Sequence, residues 1–228
     1  NLNVSDSYFI GNGVDGVSGT IGIQNGGEAV IDNTVFDSNI GYGGAGLVVF
    51  DGGIATVTTS EFKNNTSSHG GGAMAVTDGG GSSGSTATID TTAFTENTAE
   101  TNGGAIYISG SDSNVEITGS EFTKNNATTN GGAINQSSGT VTISDSTFSG
   151  NTADGEHNSA YVVGGGAIWT GSGAVLNITG SDFSGNKSNA SGGAIAFSGS
   201  NGIWDDLTFT NNESISGGAV YVGNSAVD

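Results

Sequence analysis

Apolar and polar residues alternate in short bursts along this chain, and each burst ends near a phenylalanine. Five residues before the Phe stand Val4, Ile31, Val57, Ile89, Ile117, Ile143, Ile178 and Trp204. Seven before it stand Leu2, Ala29, Ala55, Ala87, Val115, Val141, Leu176 and Gly202. Residues two apart share one face of a strand, so this spacing predicts a half-buried β-strand ahead of every Phe. The intervening Thr56, Glu116, Thr142 and Asn177 then face water. Two before the Phe the residue is Ser or Thr in seven copies, with Leu207 as the exception.

The Phe is followed three residues later by Asn, in the pairs Phe9/Asn12, Phe36/Asn39, Phe62/Asn65, Phe94/Asn97, Phe122/Asn125, Phe148/Asn151, Phe183/Asn186 and Phe209/Asn212. Steps between successive Phe are 27, 26, 32, 28, 26, 35 and 26 residues. A second block, Gly-Gly-Ala followed by an apolar residue, comes ten or eleven residues after the Phe at Ala73, Ala105, Ala133, Ala194 and Ala219. Ala45 comes at nine and Ala167 at nineteen, after an insertion. The glycine pairs include Gly71-Gly72, Gly103-Gly104, Gly131-Gly132, Gly165-Gly166, Gly192-Gly193 and Gly217-Gly218.

A period in this range signals a solenoid or a propeller. No i, i+3, i+4 pattern supports a helical repeat, and a four-stranded propeller blade needs more residues than one period holds. The reading is an all-β parallel β-helix of about eight three-sided coils of ~26 residues, stacked ~4.8 Å apart. Two strands per coil are evident, and a third short one is expected around Phe-x-x-Asn. Residues 1–228 form a single domain with loop insertions at 77–86 and 152–163. Like then stacks on like. The Phe residues form an internal column, and the Asn residues line a turn where their amides bond the coils above and below. The glycine pair opens a strand at a corner that needs tight turning and positive φ.

The alternation of "FKNN…GGAM", "FTEN…GGAI", "FTKN…GGAI", "FSGN…GGAI" and "FTNN…GGAV" resembles the repeats of the chlamydial polymorphic outer membrane proteins. The resemblance covers nearly the whole chain. It implies a right-handed parallel β-helix, the passenger of an autotransporter, displayed at the bacterial cell surface or secreted, and acting in adhesion. Its partners would be a protein or glycan receptor on another cell or matrix. The chain departs from many such passengers in having no Cys, and no membrane barrel or leader is visible in it. Its first and last residues read as strands without caps. This pattern suits a slice of a longer solenoid, or a filament subunit associating end to end.

Composition sharpens this picture. Hydrophobic residues make up only 33%, which fits a thin elongated core better than one fat globule. The formal net charge is −19, with three Lys and no Arg. That excludes nucleic acid and anionic membrane surfaces as partners, since both need cations. No apolar run reaches the ~20 residues of a membrane span.

Catalytic chemistry finds little support. Some β-helices are polysaccharide lyases that use Arg or Lys as base, but Arg is absent and Lys63, Lys124 and Lys187 fall on predicted turns. Asp205-Asp206 is the best local carboxylate pair for glycoside hydrolysis, yet strand neighbours point apart. His69 and His157 lie in different loops without metal spacing. The chain reads as a non-enzyme without a cofactor. Ca²⁺ is the one ion to consider, at Asp90, Asp145 and Asp205, with Asp6 and Asp32 near the same register. The candidate binding surface is Tyr107, Trp169 and Tyr221 after the Gly-Gly-Ala motifs, and Tyr161 in the second insertion.

Overall fold

A computed structural model describes residues 1–13, 19–81, 83–156 and 163–223. Among them every regular element is a β-strand, and all pairings are parallel. The strands build four sheets that run along the stack. The chain is a parallel β-solenoid in which each full coil contributes one strand to each sheet. One coil shows the path. Ile54–Thr58 belongs to a long strip, Glu61–Lys63 to a Phe strip, Thr66–Ser67 to a corner strip and Met74–Val76 to a Gly-Gly-Ala strip. The corner strip, six strands of two residues, adds a fourth side to the three expected.

Register carries the repeat into three dimensions. Phe9, Phe36, Phe62, Phe94, Phe122, Phe148, Phe183 and Phe209 are direct Cα partners from coil to coil. Their rings stack with centroids 4.5–5.1 Å apart. The six interior rings are fully buried, as are Ile31, Ile89, Val115 and Val141 of the long strip. One thin core thus runs the length of the stack, which is how a chain with few apolar residues fills its interior.

The Asn column is hydrogen-bonded on every side. Asn125 is typical. Its Oδ1 accepts from the backbone N–H and the side-chain amide of Asn97, both at 3.0 Å. Its Nδ2 donates to the Phe94 carbonyl at 2.9 Å and to Asn151 Oδ1 at 3.0 Å. The same contacts recur at Asn39, Asn65, Asn97 and Asn151, all buried. Asn186 continues them: it is buried, its Oδ1 accepts from the Asn151 N–H at 3.0 Å, and its Nδ2 donates to the Phe148 carbonyl at 2.9 Å.

Asn212 takes the same place one coil on. Its Oδ1 accepts the Asn186 N–H at 3.0 Å and the Asn186 amide at 2.9 Å, and its Nδ2 donates to the Phe183 carbonyl at 2.9 Å. All of these partners belong to the coil before it. Asn212 is the last Asn of the column among the described residues, and it is half-buried. Neither Asn186 nor Asn212 sits within a turn: each is the single residue between the left-handed corner and the next short extended segment. Complete bonding explains why an amide is tolerated in the dry interior.

A second column was not anticipated. The hydroxyls two before the Phe accept the backbone N–H one coil earlier, as in Thr92 N–H to Ser120 Oγ at 3.2 Å. They also donate two residues back along their own chain, as from Ser120 Oγ to the Thr118 carbonyl. Leu207 interrupts this column and packs against the core instead.

Two corners fix the turns. Three residues before the Phe, Asp6, Asn33, Thr59, Thr91, Gly119, Asp145, Gly180 and Asp206 all adopt positive φ. Two residues after it, Gly11, Ser38, Asn64, Glu96, Lys124, Gly150, Gly185 and Asn211 do the same. Left-handed backbone favours Gly, Asn and Asp, which accounts for much of the polar composition at these places. Lys63 and Lys187, expected on turns, lie instead in the strands Glu61–Lys63 and Lys187–Ser188; Lys124 is a corner residue.

The glycine pair has two separate causes. Gly103 has φ 65°, the positive value expected. Gly104 has ordinary φ but no room: a Cβ there would sit 2.1 Å from the Gly132 carbonyl oxygen and 2.6 Å from Asn126 N. Small residues are also required on the inner side of the corner strip, where Gly41, Ser67, Ala99, Ala127, Ala153 and Ser188 align. One count from the sequence shifts. Leu47 pairs with Met74, so Gly46 rather than Ala45 stands at the place of Ala73. Ala45 occupies the place of the second glycine.

Candidate functional site

The Gly-Gly-Ala strip is the side on which the surface departs most from repetition. Its strands are three or four residues long, so one outward position per coil dominates. That column reads Gly22, Val48, Ala75, Tyr107, Asn135, Trp169, Ala196 and Tyr221. The expected surface aromatics therefore share a column, but not one site. Trp169 lies two coils beyond Tyr107, across Asn135, and Tyr221 two coils beyond Trp169 across Ala196. Tyr161 lies outside the described residues.

Tyr107 closes a cleft that sequence reasoning did not assemble. The cleft has a volume of about 260 Å³ and is lined mainly by apolar atoms. Val48 and Ala75 form its floor; they point outward yet are 4% exposed, because both flanks rise above them. One flank is Tyr42, His69 and Gly70, just before the strand. The other is Phe50, Thr77, Gly79 and Ser109, just after it. Tyr42 and His69 stack with ring centroids 5.2 Å apart and 17° between planes. The Tyr107 ring follows at 6.3 Å from His69, tilted by 57°. It rests over Gly70, where a Cβ would come within 2.9 Å of the ring.

Tyr42 and His69 meet because each stands two residues before the positive-φ glycine of its coil, Gly44 and Gly71. That shared offset was present in the sequence. It was hidden by the extra Gly46, which displaces the Gly-Gly-Ala motif by one residue. His69 is exposed, as a loop histidine should be, but it is part of an aromatic row.

The loops on the far flank carry acid. Asp51 follows Phe50, Asp78 sits between Thr77 and Gly79, and Asp112 lies one coil on. Asp78, Gly81, Gly84, Ser111 and Asp112 line a second, polar pocket of about 250 Å³ beside the cleft. The insertion that supplies Asp78 is tied at its base, since Ser85 Oγ donates to the Thr77 carbonyl at 2.7 Å. Thr77 Oγ1 accepts the Gly79 N–H at 2.8 Å, and the Gly81 N–H closes a turn onto the Asp78 carbonyl at 2.8 Å.

The other carboxylates are dispersed. Asp90 ends its strand between Thr58 and Thr118 of the adjacent coils, Asp205 pairs with Thr179, and Asp145 occupies a left-handed corner. Among the described residues no three His, Cys, Asp or Glu side chains come together in a group that could hold a metal. Asp206 takes the corner conformation while Asp205 remains in the strand, so the pair does not converge. Asp32 is held below the usual carboxylate range by hydrogen bonds from the Thr58 and Thr59 hydroxyls. Asp37 is lowered by Asn64, then Ser38, and Lys63 is raised by its hydrogen bond to Glu61.

A profile of the Chlamydia polymorphic membrane protein repeat matches residues 91–109, 145–171, 180–198 and 206–223. Each matched segment begins at the left-handed corner three residues before a Phe and ends with the Gly-Gly-Ala strand or one residue past it. The unit recognised by the profile is therefore the structural unit: Phe strip, Asn corner and glycine-framed strand. No curated protein and no solved structure matches the chain at a significant level.

Proposed function

We propose that this chain of polymorphic membrane protein repeats is an autotransporter-passenger-like surface scaffold, and that it acts in adhesion. The observation that carries the reading is the aromatic cleft at Tyr42, His69 and Tyr107, mounted on the outer side of a solenoid built from those repeats. The hydrogen-bonded Asn and hydroxyl columns hold each coil to the next, so the loops that flank the cleft are fixed relative to one another. Binding residues on loops set by a rigid scaffold are a recurrent arrangement. The −19 charge supports an exposed location, where it keeps a long solenoid soluble.

The test has two parts. Antibody raised against the purified chain should label intact, unpermeabilised source cells. Beads coated with the chain should adhere to a panel of cells and matrix proteins, and beads carrying Tyr42→Ala with Tyr107→Ala should adhere less. Labelling that requires permeabilisation, or beads that adhere no better than albumin-coated ones, would overturn the proposal.

A further inference from the structure

The aromatic cleft and the acidic pocket are neighbours in a specific way. Thr77 and Gly79 line the first, and Asp78, between them in sequence, lines the second. An apolar slot thus opens beside a carboxylate-lined recess, and one short turn serves both. From this juxtaposition we infer that the pair binds an arginine side chain on a basic segment of a partner protein. The inference rests on the adhesive reading above and specifies its chemistry.

Each part of an arginine has a counterpart. Its three-carbon stem suits the floor of Val48 and Ala75. Its planar guanidinium stacks on aromatic rings, of which Tyr42, Phe50 and Tyr107 line the cleft, and its fork of N–H donors matches carboxylates such as Asp78 and Asp112. Charge complementarity selects this occupant over others. The protein's own cations are elsewhere: Lys63 is on the Phe strip, Lys187 on the corner strip and Lys124 at the left-handed corner between the two, within 4 Å of a glutamate at 2.8, 3.8 and 3.6 Å respectively. No lysine or arginine stands on the Gly-Gly-Ala strip to neutralise Asp51, Asp78 and Asp112. An anionic glycan would face those carboxylates unaided. A neutral sugar would satisfy the rings but leave the acids without a counter-charge.

The experiment uses the full chain and two short peptides of identical shape, acetyl-Gly-Arg-Gly-amide and the same peptide with citrulline in place of arginine. Binding is read from shifts of the Val48 and Ala75 methyl resonances and of the Tyr107 ring. The arginine peptide should shift them saturably, and the citrulline peptide should bind about tenfold more weakly, the effect of removing a desolvated cation. Tyr107→Leu, which keeps bulk on the strand, should produce a similar loss. Asp78→Asn with Asp112→Asn should weaken binding several-fold and flatten its salt dependence. Fold integrity is read from the Asn-column amide resonances, since no Asn of that column lines the cleft. Equal binding of the two peptides would overturn the inference. So would arginine binding untouched by Tyr107→Leu, which would mean diffuse attraction to an acidic rod, or stronger shifts from neutral methyl glycosides. Adhesion of the beads without arginine binding would leave the surface scaffold standing and sink this inference. Arginine binding without adhesion would do the reverse.

Discussion

Asn125→Ala isolates what the buried amide column contributes. The substitution deletes the Oδ1 that accepts from the Asn97 backbone N–H and from the Asn97 amide, both at 3.0 Å. It also deletes the two donors to the Phe94 carbonyl and to Asn151 Oδ1. Asn151 Oδ1 keeps its bond from the Asn125 backbone N–H at 2.9 Å, so it is not stranded. The Asn97 backbone N–H and one Asn97 amide hydrogen lose their partners in a corner that water does not reach. A buried unsatisfied polar group costs ~1–3 kcal/mol, so two place the loss at about 2–6 kcal/mol. For a chain of this size that corresponds to a melting point lower by roughly 4–24 °C. Because coils unfold as near neighbours, the more direct assay is amide hydrogen exchange, followed residue by residue. The Asn97 amide should lose protection first, ahead of amides two coils away. Asn12→Ala is the control. Asn12 is exposed and donates to Asn39 in one direction, so about 0.5 kcal/mol or less is expected. Should Asn125→Ala and Asn12→Ala cost the same, the claim that the column holds the coils together is wrong.

Glycines of similar appearance should respond differently. Gly104→Ala drives a methyl into the Gly132 carbonyl and should cost at least about 3 kcal/mol, whereas Gly185→Asn, at φ 61° with open space around it, should stay within about 0.5 kcal/mol in urea titrations. Ser67 Oγ is buried without a hydrogen-bond partner, and its register neighbours are Gly41 and Ala99, so Ser67→Ala should stabilise the chain by ~1 kcal/mol; a loss of stability would show that the hydroxyl has a hidden role. Asp32 is depressed by the Thr58 and Thr59 hydroxyls, so its contribution is present above the ordinary value of 3.8 and fades as pH falls through its lowered folded value. Thr58→Ala with Thr59→Ala should move the Asp32 carboxyl ¹³C titration upward toward 3.8; an unchanged midpoint would exclude the hydroxyls as its cause.

The parts of the fold that were legible are those with a large, periodic side chain. Phe at one register and Ile or Val five residues earlier announce a column, because only stacking gives each copy the same neighbour. The Asn column was legible in the same way, but its direction was not: the spacing of Asn97 and Asn125 does not say which amide donates, and the stack shows the Asn97 amide donating to Asn125 Oδ1. The corner strip escaped notice because two residues are too few to show alternation, and its inner positions are Gly, Ser and Ala. Two of the left-handed corners, Asp6 and Asp145, enter the sequence reading among the Asp residues considered for Ca²⁺. The physical reason for Asp6 and Asp145 is backbone conformation, which their carboxyl groups do not reveal. The cleft was half legible. Tyr107 follows directly from the motif, but Tyr42 and His69 meet it only once Gly46 is placed in register. The insertion around Asp78 marked the right flank as variable; its partnership with the aromatic row is a matter of three-dimensional adjacency.

The Asn column has one further consequence. Every amide within it points the same way, handing donors to the next coil and receiving them from the one before. The structure is in this respect a one-dimensional crystal, with a lattice vector along the rod and a unit cell of variable sequence length. Steps of 26, 32 and 35 residues satisfy the same lattice, because the strands on either side of each insertion keep their register. A coil removed whole, from one corner to its counterpart in the next repeat, leaves matched donors and acceptors facing each other across the cut. Evolution can therefore lengthen, shorten or decorate such a rod by whole cells without repairing its interior.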